Sequence, residues 1–497
     1  MSEPGDGVPR VPVREIREDI RHWRRGRAEA HFWDVFTDAY IAVFATLMFG
    51  AIAINVLVHA RWATAAGCRS GGCLEARSWL PWVVALGLVG AALAAARLFG
   101  PAHASPATSS WLLSAPLDRA GLLRPALLAF TAISVLVTAV VAAVVATLAG
   151  FTVAAIVAFV LSVALAALAA AGVAVLAQAG HPVLGRTATW ALAVLVWTML
   201  LVLALGAAPV LGSPEVGGVW IAVLVAVLLL AAAAATAGGR RLGRLTRRDL
   251  APGGRMAPGL SGALATLDLA LLYDVLLARR WAAHESVRPR RGGPSGPAAL
   301  VRADLTRLQR SPQTLLVVAL AVVVPYAAAT VGLGRAQPLV VSLTAFLAGL
   351  GLCTALRVVT RTPSLLRAMP FPVSTTRLMM LVVPGVALLA FGLACAPTLQ
   401  ASLDVPGTTA MVSGLACGGA GLAAAVRWVT GRPPDYSRPL VSTPAGGVPT
   451  NLYGSALRGF DIWALTTAPV LLWPSGTGAG VSLLLSWFVV QFLAARP

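Results

Sequence analysis

The chain has 497 residues, of which 58% are hydrophobic and 11% are charged, and its formal net charge is +19. Soluble proteins carry about 25% charged residues, so this chain has too few charges to cover the surface of soluble domains. The composition argues against a fully soluble protein, a nucleic-acid-binding protein and a disulfide scaffold. We therefore expect a multi-pass membrane protein.

All 38 basic residues are arginine. A P-loop needs a Lys that reaches the terminal phosphates, and a Schiff-base enzyme needs a Lys amine. Neither kind of site can be built from this chain. The six His show no metal-ligand spacing, and no nucleophile–base pair or paired carboxylates are visible. We predict no catalytic site, no metal and no cofactor.

Apolar stretches long enough to cross a hydrocarbon core of about 30 Å predict an all-α polytopic membrane protein. It would have about twelve transmembrane helices in two six-helix halves. The first six predicted spans are 40–59, 80–98, 122–148, 151–177, 188–208 and 219–238. The second six are 314–331, 338–356, 378–396, 409–426, 461–473 and 477–494. The span 461–473 is short and contains Pro469, so a broken or re-entrant helix is the alternative there.

These spans divide the chain into four predicted segments: a tail (1–39), a first half (40–239), a cytoplasmic linker (240–312) and a second half (313–497). A basic amphipathic helix is predicted before each half, one around Ile16 to Trp23 and one over 301–310. A further surface helix, lying along the membrane, is predicted over 264–282. Such helices bind the membrane interface through apolar residues and through Arg side chains near anionic headgroups.

The distribution of Arg predicts the orientation. With the N-terminus inside, the outer loops carry Arg61, Arg69, Arg77 and Arg335, and the other 34 Arg lie on the cytoplasmic side or at its boundary. We therefore expect both termini in the cytoplasm and the protein in the cell (inner or plasma) membrane. Cys68 and Cys73 fall in the first outer loop, where a disulfide is permitted. Two free thiols are the alternative.

Two loops at corresponding places in the halves share a pattern. The first reads W-L-L-S-A-P-L-D-R-A-G-L-L-R-P from Trp111 to Pro125, and the second reads L-L-R-A-M-P-F-P-V-S-T-T-R-L-M from Leu365 to Met379. Both pass from two Leu through a small polar stretch and Pro to a polar residue and Arg. Each leads directly into a predicted span. Pro and the polar residues predict a short, non-helical cytoplasmic elbow in each half.

The amphipathic helices, the paired spans and these loops resemble the permease subunits of ABC exporters of the second export class. The resemblance implies two fused half-permeases, similar to large actinobacterial membrane proteins of the same plan. It also implies that both loops contact a separate ATP-binding cassette subunit. The residues that it assigns to this coupling surface are Leu113, Ser114, Pro116, Asp118, Arg119, Arg367, Pro370, Pro372, Ser374 and Arg377.

Two alternatives remain open. Asp118-Arg119-Ala120-Gly121, followed by Arg124, approximates the D-R-x-G-R pattern of major-facilitator carriers, but Ser114 stands where that family has its leading Gly. The predicted spans also hold no ionisable residue in their interiors, where ion-coupled carriers place such groups. This absence favours a hydrophobic, lipid-like or peptide substrate moved by an external motor. A membrane scaffold or immunity protein is the non-transport alternative.

Overall fold

The computed structural model describes residues 15–16, 18–19, 22, 32–68, 70–105, 107–115, 117–209, 217–251, 253–254, 256, 269–282, 292–431, 440–443, 446–449 and 457–495. Its secondary structure is almost entirely helical. The chain forms two compact units. Unit 1 comprises Met1–Met199 with Pro209–Ser261, and unit 2 comprises Leu200–Ala208 with Gly262–Pro497.

Unit 1 is built from long helices. They are α1 (Phe32–Gly67), α2 (Gly71–Phe99), α3 (Arg119–Leu148), α4 (Val153–Gln178), α5 (Pro182–Ala204, whose last residues group with unit 2) and α6 (Gly218–Arg241). A π-helical turn, Thr108–Leu112, lies between α2 and α3, and a 3-10 turn, Leu242–Arg244, follows α6.

Unit 2 contains more and shorter helices. They are α7 (Leu269–Ala282), α8 (Ala298–Arg310), α9 (Gln313–Ala321), α10 (Val323–Thr330), α11 (Gln337–Leu352), α12 (Thr354–Arg361), α13 (Pro363–Ala368), α14 (Val373–Ala394), α15 (Ala396–Leu403), α16 (Gly407–Thr430), α17 (Phe460–Leu472) and α18 (Gly476–Ala495). A 3-10 turn, Gly334–Ala336, precedes α11. Strands β1 (Leu440–Thr443) and β2 (Gly446–Pro449) form an antiparallel hairpin between α16 and α17.

Among the described residues, ten helical segments are long and apolar enough to cross a membrane, which makes this a multi-pass membrane protein. They match ten of the twelve predicted spans. The predicted span 40–59 lies inside the 36-residue helix α1 and is not one of the ten. The predicted span 461–473 corresponds to α17, which is apolar but has 13 residues. The total of twelve therefore stays a prediction.

Capping residues set several helix boundaries. The Thr152 hydroxyl accepts a hydrogen bond from the Ala155 amide at 3.3 Å, which starts α4. Gly150 has a φ of +81°, a conformation that glycine adopts without strain, and it turns the chain between α3 and α4. The Arg77 Nε donates to the Ala149 carbonyl at 2.8 Å and satisfies an oxygen at the end of α3. The connection between α3 and α4 is therefore a tight hairpin.

One helix lies at the centre of each unit. In unit 1, α4 packs against α2, α3 and α6, and in unit 2, α16 packs against α11, α14, α17 and α18. Small residues allow the backbones to approach closely, as is common where membrane helices meet. Between α14 and α16, a methyl group on Gly392, Gly414 or Gly418 would overlap a backbone carbonyl of the facing helix. Close packing of α16 therefore depends on glycine.

Candidate functional site

The first predicted coupling loop is partly helical. Ser105 Oγ accepts a hydrogen bond from the Thr108 amide at 3.1 Å at the start of the π-helical turn, and Ser114 Oγ donates to the Ser110 carbonyl at 2.9 Å. Leu113 is buried in a cluster with Leu123 and the turn after α6. Residues 113–115 and 117–118, between this turn and α3, are non-helical, as the sequence predicts for the elbow, and local side-chain hydrogen bonds stabilise the helical turn before them.

Asp118 joins this loop to α3. Its carboxylate accepts hydrogen bonds from the amides of Ala120 at 3.0 Å and Gly121 at 3.1 Å, so it is the N-cap of α3. A carboxylate at this position also interacts favourably with the helix dipole. Arg119 is the exposed first residue of α3, and Trp111, in the turn, is 78% exposed. Pro116 lies outside the described residues.

The second predicted coupling loop contains the six-residue helix α13. Arg367, Pro370 and Pro372 are exposed, and Ser374 is half-buried. Residues 369–372, between α13 and α14, are non-helical and include Pro370 and Pro372, as the sequence predicts for this elbow. A Pro is well tolerated in the first turn of a helix, where its missing amide costs no hydrogen bond, and Pro363 occupies such a position in α13.

Arg377 is not on the loop surface. The helix α14 begins at Val373, five residues before the predicted span, so Arg377 belongs to its second turn and is buried. Its Nη1 donates to the carbonyl oxygens of Leu493 and Ala494, both at 3.5 Å. A cation at this place interacts favourably with the C-terminal end of α18. The structure thus places Arg377 at an internal contact, apart from the exposed residues of the loop.

A buried ion pair in unit 2 was not anticipated. Arg357 in α12 is 1% exposed, and it binds both carboxylate oxygens of Asp274 in α7, through Nε to Oδ1 and through Nη2 to Oδ2 at 2.7 Å. The Arg357 guanidinium also lies over the Trp428 ring, 4.9 Å from its centroid, and over the Tyr273 ring at 5.4 Å. Such two-point pairing and stacking use the planar shape of Arg.

The same contacts fasten α7 to the rest of unit 2. The Tyr273 hydroxyl donates to the Leu350 carbonyl at 3.0 Å, and its ring meets Trp428 edge to face at 5.1 Å. The described part of the surface helix predicted over 264–282, α7, is docked on α11, α12 and α16; its placement along the membrane stays a prediction. The sequence showed Asp274 on an amphipathic helix, but it contained no signal for its partner 83 residues away. Residues 264–268 lie outside the described part of the chain.

The predicted amphipathic helix over 301–310 forms α8 and is also fixed in place. Arg307 Nε donates to Asp304 Oδ1 at 2.7 Å, and its Nη2 donates to the Leu352 carbonyl at 2.8 Å, at the end of α11. Burial raises the pKa of the Asp304 carboxyl, and the nearby Arg307 opposes that rise. Leu308 packs into the core of unit 2 and not against lipid. The matching helix predicted near Ile16 falls largely outside the described residues.

Hydroxyl groups connect the helices inside unit 2. Ser342 Oγ in α11 accepts hydrogen bonds from Trp463 Nε1 at 2.9 Å and Thr467 Oγ1 at 3.1 Å, both in α17. Ser486, another polar residue in a span, donates to the Ser482 carbonyl at 2.8 Å within its own helix, α18. The two bonds to Ser342 join different helices, and such interhelical bonds stabilise membrane helix packing. They explain why the short helix α17 is held firmly against α11.

The cysteines fall into two groups. Cys68 and Cys73 form a disulfide at the junction of α1 and α2, in the loop where the sequence permits one, and their Cα atoms are 5.5 Å apart. Cys353, Cys395 and Cys417 are free and buried in unit 2. Within the described ranges, no three His, Cys, Asp or Glu side chains lie close enough together to hold a metal ion.

Comparison with known proteins adds one relationship. No curated protein and no solved structure matches the chain. A family model described as a family of unknown function, DUF6297, matches residues 73–439. This range begins within α2 and ends just before the hairpin, so it includes both candidate loops, the ion pair and most of the described helices. The chain belongs to the DUF6297 family of unknown function.

Proposed function

We propose that the chain is the membrane-spanning permease component of an ATP-driven exporter of the ABC type, located in the cell membrane. The observation that carries the proposal is a short, exposed helical segment between two spans in each unit. In unit 1 it is the turn Thr108–Leu112 between α2 and α3, and in unit 2 it is α13, which follows the short helix α12 and lies between the spans α11 and α14. A permease needs such elements because a cytoplasmic ATPase must push on spans through them.

The first of these segments is well suited to transmit force. Trp111 presents a large apolar side chain to the outside, and Arg119 offers an exposed charge beside it. Leu113 is buried between them, and Asp118 caps α3. Exposed aromatic and Arg side chains are enriched at protein interfaces, while the buried Leu and the cap make the turn continuous with a span. A partner that moved Trp111 would therefore move α3.

The second segment has similar chemistry. In α13, Leu365 is 36% exposed and Arg367 is exposed, and both precede the Pro370–Pro372 turn into α14. Two prolines limit the conformations of the turn, which favours transmission of a movement of α13 to α14. We therefore assign Leu365, Arg367, Pro370, Pro372 and Ser374 to the second contact with the ATPase. Arg377 is left out, since it is buried.

In this proposal, a separate subunit hydrolyses ATP and supplies the energy. The chain has no Lys for a P-loop. Both termini are assigned to the cytoplasm, and α1 and α17 supply the eleventh and twelfth spans, giving two six-span halves. The alternative of an ion-coupled carrier is less well supported, because the charged residues in the ten candidate spans lie near span ends.

A groove in unit 2 supports a hydrophobic substrate. It has a volume of about 740 Å³ and lies between α14, α16 and α18. Its lining is almost wholly apolar and includes Val386 and Trp487, with Gln491 supplying an amide. A groove of this size accepts an acyl chain or an apolar peptide segment. We propose a lipid-like or hydrophobic peptide substrate for the exporter.

Site-specific crosslinking tests the proposal. The chain is co-expressed with the ATPase subunits encoded beside its gene, with a photoreactive amino acid at Trp111, at Leu365 or, as a control, at Leu333. Leu333 is 38% exposed in the turn before α11, assigned to the opposite membrane face. We expect crosslinks to one ATPase from the first two positions and none from the third. Absence of crosslinks at both positions, with gradient-driven transport by the purified chain alone, would contradict the proposal.

A further inference from the structure

A cavity in unit 1 lies where three candidate spans end. Helix α4 ends at Gln178, α5 begins at Pro182 and α6 ends at Arg241. The cavity between them has a volume of about 610 Å³. Its lining combines apolar side chains, among them Leu176, Val183, Leu184 and Ala237, with two basic ones, His181 and Arg241. An apolar wall next to cationic groups at the end of spans is the composition expected at a membrane–water boundary.

The two basic side chains are paired with each other. Arg241 Nη1 lies 2.7 Å from His181 Nε2. A guanidinium only donates, so His181 Nε2 must accept, which leaves the imidazole proton on Nδ1 as a further donor. Among the described residues, no carboxylate forms an ion pair with Arg241. The pair therefore offers several N–H donors to the cavity.

Two further arginines lie outside the cavity lining, on or beside the helices that form it. Arg240 precedes Arg241, and Arg97, which donates to Thr189 Oγ1 at 2.8 Å, lies against Gly185 near the start of α5. Two acids of unit 1 near helix ends make local hydrogen bonds: Asp118 caps α3, and the Asp249 carboxylate accepts from the Thr246 amide at 2.9 Å and from its hydroxyl at 2.6 Å. Within the described part of the chain, no carboxylate lines the cavity or forms an ion pair with its two basic side chains.

We propose that this cavity binds the headgroup of an anionic phospholipid. The phosphate would accept hydrogen bonds from Arg241 and His181, and Arg97 and Arg240 would contribute to the attraction. The acyl chains would run along the exposed side chains of Val183 and Leu184, which are 68% and 43% exposed. Basic pockets between spans bind anionic headgroups in this way. A zwitterionic lipid fits less well, because its ammonium group would meet the same cations. This inference does not depend on the proposed transport function.

Titration of the purified full-length chain tests the site. In non-ionic detergent, the chain is titrated with dioctanoyl phosphatidylglycerol, with dioctanoyl phosphatidylcholine and with inorganic phosphate, and the heat of binding is measured. We expect phosphatidylglycerol to bind, and the other two to bind at least about tenfold more weakly. Equal binding of phosphatidylcholine would overturn the proposal. Phosphate binding as tight as that of phosphatidylglycerol would assign the site to a free anion and also overturn it.

Matched variants locate the binding. Arg241→Gln should weaken phosphatidylglycerol binding about tenfold, the usual effect of losing a charge-assisted hydrogen bond. Arg248→Gln is the control: it removes the same charge from an exposed position of unit 1 outside the cavity and should leave the affinity unchanged. If Arg241→Gln does not give monodisperse protein, His181→Gln replaces it, with an expected loss of about threefold. If the cavity variant that is measured binds phosphatidylglycerol with wild-type affinity, the proposed site is overturned.

Discussion

The ion pair between Asp274 and Arg357 gives the sharpest structural prediction. Arg357 is 1% exposed and makes two hydrogen bonds to Asp274, whose side chain is 36% exposed. Removing one partner of a fully buried pair costs about 3–5 kcal/mol. Water reaches the Asp274 side and compensates part of this loss, so we expect Asp274→Asn to weaken the docking of α7 by about 2 kcal/mol.

Amide hydrogen exchange measures this change locally. Exchange through local opening reports the free energy of that opening, so amides of α7 should exchange about 30-fold faster in Asp274→Asn. Asp461→Asn is the matched control, because Asp461 pairs with Arg427 at 3.3 Å in a half-exposed position elsewhere in unit 2. It should leave α7 unchanged. The double variant Asp274→Asn/Arg357→Met should recover part of the protection, since the buried charge is gone. The reasoning would be refuted if the α7 amides exchange less than about threefold faster in Asp274→Asn. It would also be refuted if they exchange equally fast in Asp461→Asn.

Three further predictions concern other contacts. Asp118→Ala removes the N-cap of α3 and should lower the free energy of unfolding by about 1 kcal/mol, measured by thermal denaturation against Asp118→Asn, which keeps a cap. Burial raises the pKa of Asp304. At pH values above the ordinary pKa of a carboxyl group, the folded chain therefore binds more protons than the unfolded chain. Stability should therefore fall as the pH rises from that value through the folded pKa, and Asp304→Asn should abolish this fall; a fall of the same size in the variant would contradict the assignment. Gly418→Ala places a methyl group against the Leu388 carbonyl and should destabilise unit 2 by about 1–3 kcal/mol, whereas Gly385→Ala meets only the Leu422 side chain at 3.6 Å and should be tolerated. Equal thermal midpoints of these two variants would contradict the close packing.

Hydropathy predicted the spans well because the membrane imposes a simple physical requirement. A stretch of about 20 apolar residues must form a helix in lipid, since its backbone groups find no water. The ten candidate spans accordingly agree with the predicted ones to within a few residues at most boundaries. One difference is local: α14 starts early, directly after Pro372, and therefore includes Arg377.

The candidate site was only partly predictable. The two loops could be found by their Pro and Arg pattern, but their helical turns depend on hydrogen bonds such as that of Ser114, which a motif does not reveal. The partner of Asp274 could not be predicted, because the contact to Arg357 is set by tertiary packing over a long sequence separation. The basic cavity was missed for the same reason. His181 belongs to no motif in the sequence, and its neighbour Arg241 follows 60 residues later.

ATP hydrolysis by the co-expressed ATPase subunit, reconstituted in vesicles with and without this chain, tests the proposed function most directly. We predict that hydrolysis depends on the chain, and that Trp111→Ala combined with Arg367→Ala lowers it at least about tenfold. Insertion of the variant into the vesicles should be unchanged, because both side chains are exposed. Equal hydrolysis with and without the chain would contradict the assignment of this protein as the permease of an ATP-driven exporter.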